Sequence, residues 1–135
     1  MTSGPALVSI LRQGSYLVAS IHTALDDSQM VRFQADLVDQ IGQHRARGVI
    51  IDVAALDVLD SFGSRTLRTI AEMARLRGAV TVIAGIQPDV AFAMVALGMG
   101  TGDVATALDL EEGLAYLNER VGRSGRVAGM PELRR

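Results

Sequence analysis

Short apolar runs alternate with amphipathic stretches along the chain, and this pattern predicts an α/β fold. The first two runs, 6–11 and 16–21, flank a turn-prone segment at 13–15, so a β-hairpin is expected to open the chain. From Asp27 the apolar period becomes that of a helix, and either Asp27 or Ser28 is the expected N-cap.

The segment 48–54 (GVIIDVA) is too uniformly apolar for an exposed strand, which predicts a central strand in a sheet covered on both faces. The elements expected after it are a helix over 61–77 with Asp60 as N-cap, a buried strand at 79–85, a helix that Pro88 begins, a short edge strand at 106–108, and a last helix from Asp109 to about Val121. The chain is therefore predicted to form a single α/β domain at 1–122, with a mixed β-sheet, the opening hairpin and about four packed α-helices. An arginine-rich, loosely ordered tail is expected at 123–135.

Composition narrows the classes of function. A chain of 135 residues, nearly half of them hydrophobic, suffices for one compact domain with its own core. It contains no cysteine, which excludes disulfides, thiolate metal sites and cysteine nucleophiles. The net charge is −2, so nothing indicates binding to a nucleic-acid backbone. No apolar run approaches the roughly 20 residues that span a bilayer, and a cytoplasmic location without membrane contact is expected.

Three patterns that resemble catalytic or ligand-binding motifs have simpler interpretations. The glycines of 98–102 (GMGTG) lack the G-x-G-x-x-G spacing and follow a helix, which favours a helix stop and turn. His22 and His44 have no acidic or histidine neighbours at ligand spacing, so neither a metal nor a cofactor is expected. The stretch 60–63 (DSFG) is not the G-x-S-x-G elbow of a hydrolase, although triads are defined by geometry and this alternative stays open.

Three carboxylates, Asp52, Asp57 and Asp60, cluster at and beyond the end of the central strand, where open α/β sheets form their sites. Loop solvation and helix capping are the favoured interpretation, and a cation site is the alternative.

The run 90–97 (VAFAMVAL) would make a helix apolar all round. Either its alanines lie thinly exposed or the helix belongs to an interface, and we favour the interface.

Ser61 directly follows the predicted cap, and a helix start alone explains a small polar residue there. At roughly 100 degrees per residue, however, Ser61, Arg65 and Arg68 share an exposed face. The buried stripe of this helix is expected to consist of Phe62, Leu67, Ile70, Ala71 and Ala74. An exposed hydroxyl at the positive end of a helix, one turn from an arginine, is a reasonable phosphorylation site. Gly63 is expected to leave the neighbouring surface open to the backbone of a partner.

The central strand and the helix after it resemble the marker of the STAS family, the anti-sigma-factor antagonist fold. The marker is a strand of the IIDVA type at 49–54, a short loop at 55–59, and D-S-x-G at 60–63 opening a helix.

Three further segments are similar to one branch of that family, the small scaffold proteins of the stressosome (the RsbS type). They are LDD at 25–27, MARLRGAVTVIAGIQPDVA at 73–91 and TALDLEEGL at 106–114. The similarity extends over roughly residues 6–121. D-S-F-G alone is a weak motif, whereas the ordered set is specific.

The resemblance implies a non-enzymatic scaffold that is switched by phosphorylation. Such proteins co-assemble with larger STAS paralogues that carry sensor domains (the RsbR type), and they sequester a serine kinase of the RsbT type. On stress the kinase phosphorylates the serine, leaves, and activates signalling to a sigma factor or another output, and a phosphatase resets the state. With no room for a sensor domain before the hairpin, the scaffold role is expected for this chain.

The match carries the phosphoacceptor onto Ser61, and not onto Ser64, Thr66 or Thr69. The partner surface is assigned to Asp60, Phe62, Gly63, Arg65 and Arg68. Two other classes of protein remain open. One is a freestanding anti-sigma-factor antagonist that binds an anti-sigma kinase directly. The other is an enzyme, although no motif indicates one.

Overall fold

The computed structural model describes residues 6–128 and, of these, the side chains up to Gly122. The elements in chain order are β1 (Val8–Gln13), β2 (Tyr16–Ile21), α1 (Asp27–His44), β3 (Gly48–Asp52), α2 (Ser61–Leu76), β4 (Val80–Ala84), α3 (Pro88–Ala96), β5 (Ala105–Ala107) and α4 (Leu110–Ala128). The opening hairpin, the central strand and the four helices predicted from the sequence are all present in this part of the chain.

The five strands of the described chain form one mixed sheet in the order β1-β2-β3-β4-β5. β1 pairs antiparallel with β2, as a hairpin requires, and the other three pairs are parallel. A helix connects each parallel pair, because parallel strands need a long crossover. β3 therefore lies in the middle of the sheet, which confirms the prediction made from its apolar sequence.

Both faces of the sheet are covered, and alternate residues of β3 pack to opposite sides. Ile51 belongs to the larger core, which fills the space beneath α1 and α2. Ile50 belongs to a smaller core on the other face, where it meets Leu117 of α4. Both isoleucines are fully buried. The strand is apolar at successive positions because each of its two faces lies under a helix.

The N-cap of α1 is Asp26, and the prediction of Asp27 or Ser28 was wrong. The Asp26 carboxylate accepts a hydrogen bond from the Gln29 amide at 2.8 Å, and the Gln29 side chain accepts one from the Asp26 amide at 2.9 Å. This reciprocal pair is a capping box. All three adjacent residues are good caps by type, and the reach of the Gln29 side chain selects Asp26 among them.

α4 extends to Ala128, beyond the end near Val121 that the sequence predicted. Gly122 does not stop it, since a glycine costs a helix interior only about 1 kcal/mol relative to alanine. Residues 123–128 are thus helical, and the remainder of the predicted tail, 129–135, lies outside the described residues. None of the helices within 6–128 combines the length and the apolar character needed to cross a membrane.

Candidate functional site at the start of helix α2

The loop between β3 and α2 begins at the carboxyl end of the central strand, and hydrogen bonds tie its first residues to β3 and to α3. The Asp52 carboxylate accepts a hydrogen bond from the Ala54 amide at 2.9 Å. The Ala54 carbonyl accepts one from the side-chain amide of Gln87, the N-cap of α3, at 2.8 Å. Gly85, with φ of 83°, is needed where β4 ends, because a Cβ there would lie 2.9 Å from the Ala54 Cβ. These contacts hold the loop against the start of α3.

Asp60 caps α2, as the sequence predicted. Its backbone is extended and its carboxylate accepts a hydrogen bond from the Gly63 amide at 2.7 Å. Ser61 is the first helical residue and is exposed. Its hydroxyl makes no hydrogen bond to any part of the chain that the structure describes. The hydroxyl is therefore accessible to solvent, and the Asp60 side chain satisfies only one of the amides at this helix end.

The predicted faces of α2 are confirmed for most positions. Ser61, Arg65 and Arg68 are exposed. The opposite stripe is buried or half-buried at Phe62, Leu67, Ile70, Ala71 and Ala74. Two polar residues missed by the sequence analysis are also buried, Ser64 and Thr66. The Thr66 hydroxyl donates to the Phe62 carbonyl at 2.8 Å, whereas the Ser64 hydroxyl has no partner among the described residues.

The prediction that Gly63 leaves the surface open to a partner was wrong. This glycine is buried, so it does not form an open surface for the backbone of a partner. A Cβ at this position would lie 2.9 Å from the Leu59 side chain and 3.2 Å from the Asp60 carboxylate oxygen. A larger residue here would have to displace the Leu59 side chain and crowd the Asp60 carboxylate, to which the Gly63 amide donates.

Ser61 lies on the rim of an apolar groove between the loop, the start of α2 and helix α3. The groove has a volume of about 570 Å³. Its lining residues are Asp57, Val58, Leu59, Asp60, Ser61, Asp89, Val90, Ala93, Leu97 and Met99. The α3 side of this groove was not predictable from the sequence, because those residues lie far from Ser61 in the chain and only the fold brings them together.

The apolar run of α3 is exposed along much of its length. Val90 and Met94 are buried, but Phe92, Val95 and Leu97 are 77%, 82% and 71% exposed. The monomer therefore leaves large apolar side chains uncovered, and not only the alanines of this run. That this surface is an interface stays a prediction.

The structure does not bring every predicted partner residue to the groove. Asp60 and Ser61 line it, and Phe62 is half-buried against the main core. Arg65 is exposed on the outer face of α2. Arg68 lines a different cavity, on the side of α2 near Gly102. The two residues Ser61 and Arg68 share a helix face but are about 10 Å apart along its axis, from a rise of 1.5 Å per residue.

The other candidate residues have structural roles. Gly98 and Gly102 take positive φ after α3, which confirms a helix stop and turn. The ring Nε2 of His22 lies 3.0 Å from the Ser9 hydroxyl. Among residues 6–128 no three histidine or carboxylate side chains gather as metal ligands would. Of the three clustered aspartates, Asp52 binds a loop amide and Asp60 caps α2.

Comparison with known proteins defines the class. The STAS domain model matches residues 8–112, and the chain belongs to the STAS family. The single mixed-sheet domain with its opening hairpin is the fold expected from that membership.

Particular relatives come from the stressosome. The chain is similar to a serine-to-glutamate variant of RsbS from Moorella thermoacetica, with 35% identity and a TM-score of 0.75, over 87% of this chain and 99% of that one. It is also similar to a chain in a structure described as the molecular architecture of the stressosome, a signal integration and transduction hub, with 32% identity, a TM-score of 0.68, and coverage of 84% and 98%.

A curated relative is RsbRA of Bacillus subtilis (strain 168), the RsbT co-antagonist protein. The identity is 29% over 99 residues, which are 73% of this chain and 36% of the relative. The chain thus spans about a third of the length of that relative. The resemblance to the STAS family and to its stressosome branch is confirmed.

Proposed function

We propose that this protein is a phosphorylation-switched STAS scaffold of the stressosome that sequesters a serine kinase of the RsbT type and releases it when Ser61 is phosphorylated. The observation that carries the proposal is the position of Ser61. It is exposed, has no hydrogen-bond partner among the described residues, and stands on the rim of an apolar groove. A kinase that docks over this groove reaches the hydroxyl and is also the protein most affected by its modification.

Phosphorylation changes the charge of the groove far more than the stability of the domain. A phosphoserine carries about −1.5 to −2 charges at neutral pH. The N-terminus of α2 attracts that charge, by about 0.3–1 kcal/mol at an exposed site. The carboxylates of Asp57, Asp60 and Asp89, which line the same groove, repel it. Because these effects oppose each other, the net change in folding free energy is small.

The effect on a bound partner is large by comparison. Docking over the groove removes water from the Ser61 side chain, which costs little for a hydroxyl. Desolvating a dianion without a cation beside it costs several kcal/mol or more. Arg65 is exposed on the same helix face, but it faces solvent and not the groove lining. A docked kinase is therefore released unless it supplies its own cation.

Three relatives support the scaffold part of the proposal. The RsbS structure and the stressosome structure both match more than four fifths of this chain. The RsbS variant carries glutamate in place of a serine, a substitution that puts a carboxylate where a hydroxyl was. RsbRA is a relative with a longer chain, and a protein of that type in the same cell is the kind of partner expected in a mixed assembly. The protein is accordingly proposed to form homo- and hetero-oligomers with RsbR-like paralogues, and a phosphatase resets Ser61.

Phosphosite mapping tests the switch. The purified protein is incubated with its cellular kinase and ATP, and phosphopeptides are identified by mass spectrometry. Ser61 should carry the phosphate, and Ser61→Ala should abolish labelling. Thr69→Ala is the matched control, since Thr69 is also an exposed hydroxyl on α2. Full phosphorylation of Ser61→Ala at another residue would reduce Ser61 to an ordinary helix-start serine.

Particle size tests the assembly and separates the scaffold from a freestanding antagonist. Mixed with its RsbR-like paralogue, a stressosome scaffold should elute from a sizing column as a very large particle, whereas a freestanding antagonist stays small. Val95→Glu, at a position 82% exposed on α3, should leave the domain folded and reduce the particle size. Val31→Glu, at an exposed valine on α1, is the matched control. Equal particle sizes for the two variants would remove α3 from the interface.

A further inference from the structure

Gln87 occupies the N-cap position of α3, but its side chain does not cap that helix. Within the described chain, no hydrogen bond joins this side chain to an amide in the first turn of α3. Its amide nitrogen instead donates to the Ala54 carbonyl at 2.8 Å, across 33 positions of the chain. The residue types that favour an N-cap have short polar side chains, and glutamine is not one of them. The position therefore carries a residue long enough to reach Ala54 in place of one suited to begin a helix.

Pro88 explains how α3 begins without a side-chain cap. A proline at the first helical position has its φ already fixed near the helical value, and it lacks one of the amide hydrogens that a cap would have to satisfy. The Gln87 carbonyl accepts the first backbone bond of the helix, from the Ala91 amide at 2.8 Å. The side chain of Gln87 is thus not needed by the helix itself and is available to the loop.

The bond between Gln87 and Ala54 joins the two walls of the Ser61 groove. Residues 57–61, which follow Ala54 in the chain, form one wall, and α3 with the turn after it forms the other. Helix α3 buries only Val90 and Met94, so apolar contacts fix its position relative to the loop weakly. No other side-chain hydrogen bond within the described part of the chain connects this loop to α3.

We propose that Gln87 is a positioning residue for the phosphorylation of Ser61, because its bond to Ala54 holds α3 where the kinase can dock over the groove. This role rests on the proposed function, since it names a residue on which docking at that same groove depends. Gln87 is not part of the groove lining. It therefore acts through the arrangement of the two walls and not as a piece of the docking surface.

Loss of this bond should affect docking more than folding. Ala54 is exposed and Gln87 is half-buried, so both groups can bond to water once the contact is broken, and the stability of the domain should hardly change. The two walls would then no longer be held in one arrangement. A kinase that binds only that arrangement loses affinity in proportion to its population. One net hydrogen bond biases such an equilibrium by about fivefold.

Phosphorylation kinetics with the partner kinase test this role in the full-length protein and in two variants, Gln87→Ser and Gln87→Met. Serine is a better N-cap than glutamine but is too short to reach Ala54, and methionine keeps the length without a donor. Both variants should raise KM by about fivefold and leave kcat unchanged, because the start of α2 is intact. Gln13→Ser, beside the start of β3 at the other end of the sheet, is the matched control and should change neither constant.

Hydrogen exchange measured by NMR checks the bond without the kinase. The Leu56 amide donates to the Val53 carbonyl within the loop at 3.0 Å, and it should exchange about fivefold faster in both Gln87 variants. The Gly63 amide, bonded to Asp60, should exchange at the wild-type rate. The melting temperature of Gln87→Ser should equal or exceed that of the wild type, since a residue that served only to begin α3 would be improved by this change.

The failure of this role can be told apart from the failure of the proposed function. Normal phosphorylation of the wild type, with the same KM in Gln87→Ser and Gln13→Ser, would overturn the role of Gln87 alone. A wild-type protein that the kinase does not phosphorylate at Ser61 would overturn the proposed function, and the role of Gln87 with it. A raised KM in Gln87→Ser but not in Gln87→Met would also overturn this role, because the missing donor would then not be the cause.

Discussion

Helices α1 and α3 differ in how much of their apolar surface is buried. α1 buries Met30, Phe33, Leu37 and Ile41 in the main core, and Val31 is its one large apolar side chain that is exposed. α3 buries only Val90 and Met94, and it leaves larger apolar side chains in solvent beside the Ser61 groove. The difference shows that α1 contributes most of its apolar surface to the core of the monomer, whereas much of that of α3 stays in solvent, as the predicted interface would require. Helix α2 combines the two, since it buries Leu67 and Ile70 and exposes Ser61.

The largest loss of folding stability is expected from Ile51→Asp in the middle of β3. Ile51 is fully buried within the main core, and an unpaired carboxylate there costs several kcal/mol, comparable with the whole stability of a small domain. The variant should fail to fold. Circular dichroism and thermal unfolding measure this, with Val95→Asp on α3 as the control that stays folded. A soluble Ile51→Asp variant that melts cooperatively would show that the strand has been misplaced.

Alanine substitutions on α1 and α3 compare the contributions of the two helices to stability in a milder way. Leu37→Ala on α1 removes a fully buried side chain and should destabilise the domain by about 2–5 kcal/mol. Val95→Ala on α3 should change stability by no more than about 0.5 kcal/mol, as for other exposed positions. Urea unfolding of both variants gives the two values. Comparable losses would mean that α3 contributes to the fold as α1 does.

A smaller effect concerns the cap of α1 and its pH dependence. The backbone hydrogen bond from Gln29, followed by the bond from the Ser28 hydroxyl, lowers the pKa of Asp26 below its usual 3.8. A carboxyl group with a lowered pKa stabilises the folded state above its unfolded pKa, and that contribution is lost as the pH falls through the folded pKa. Asp26→Asn keeps a capping oxygen without the charge. The wild type should therefore exceed this variant in stability at neutral pH, and the gap should close below about pH 3.8.

Thermal unfolding of the two proteins across that range measures the gap. A difference that stays constant from neutral to acidic pH would mean that the charge of Asp26 contributes nothing to the cap.

The fold was largely predictable because its signals are local. The unbroken apolar run of β3 indicates two covered faces, and the spacing of Leu67, Ile70 and Ala74 indicates the buried side of α2. The cap of α1 was missed by one residue, because Asp26, Asp27 and Ser28 are equally good by type. Which of the three residues caps the helix depends on the reach of one side chain, that of Gln29.

The candidate site was predictable only in part. Ser61 and Asp60 are adjacent in sequence, so their geometry follows from the rules for a helix start. The far wall of the groove, which includes Asp89, Leu97 and Met99, comes from a separate helix and the turn after it, and no local pattern links it to Ser61. Gly63 looked exposed because the pattern gave no sign that Leu59 and Asp60 fold over it.

In the proposed switch, a charge at Ser61 weakens the binding of the partner and leaves the stability of the fold almost unchanged. It is tested by measuring, for Ser61→Asp and Ser61→Ala, both the affinity for the partner kinase and the melting temperature. Ser61→Ala is expected to hold the kinase and block its release, and Ser61→Asp is expected to bind it more weakly with a nearly unchanged melting temperature. Equal kinase affinity for the two variants would contradict it, and so would a loss of affinity that merely follows a large fall in the melting temperature of Ser61→Asp.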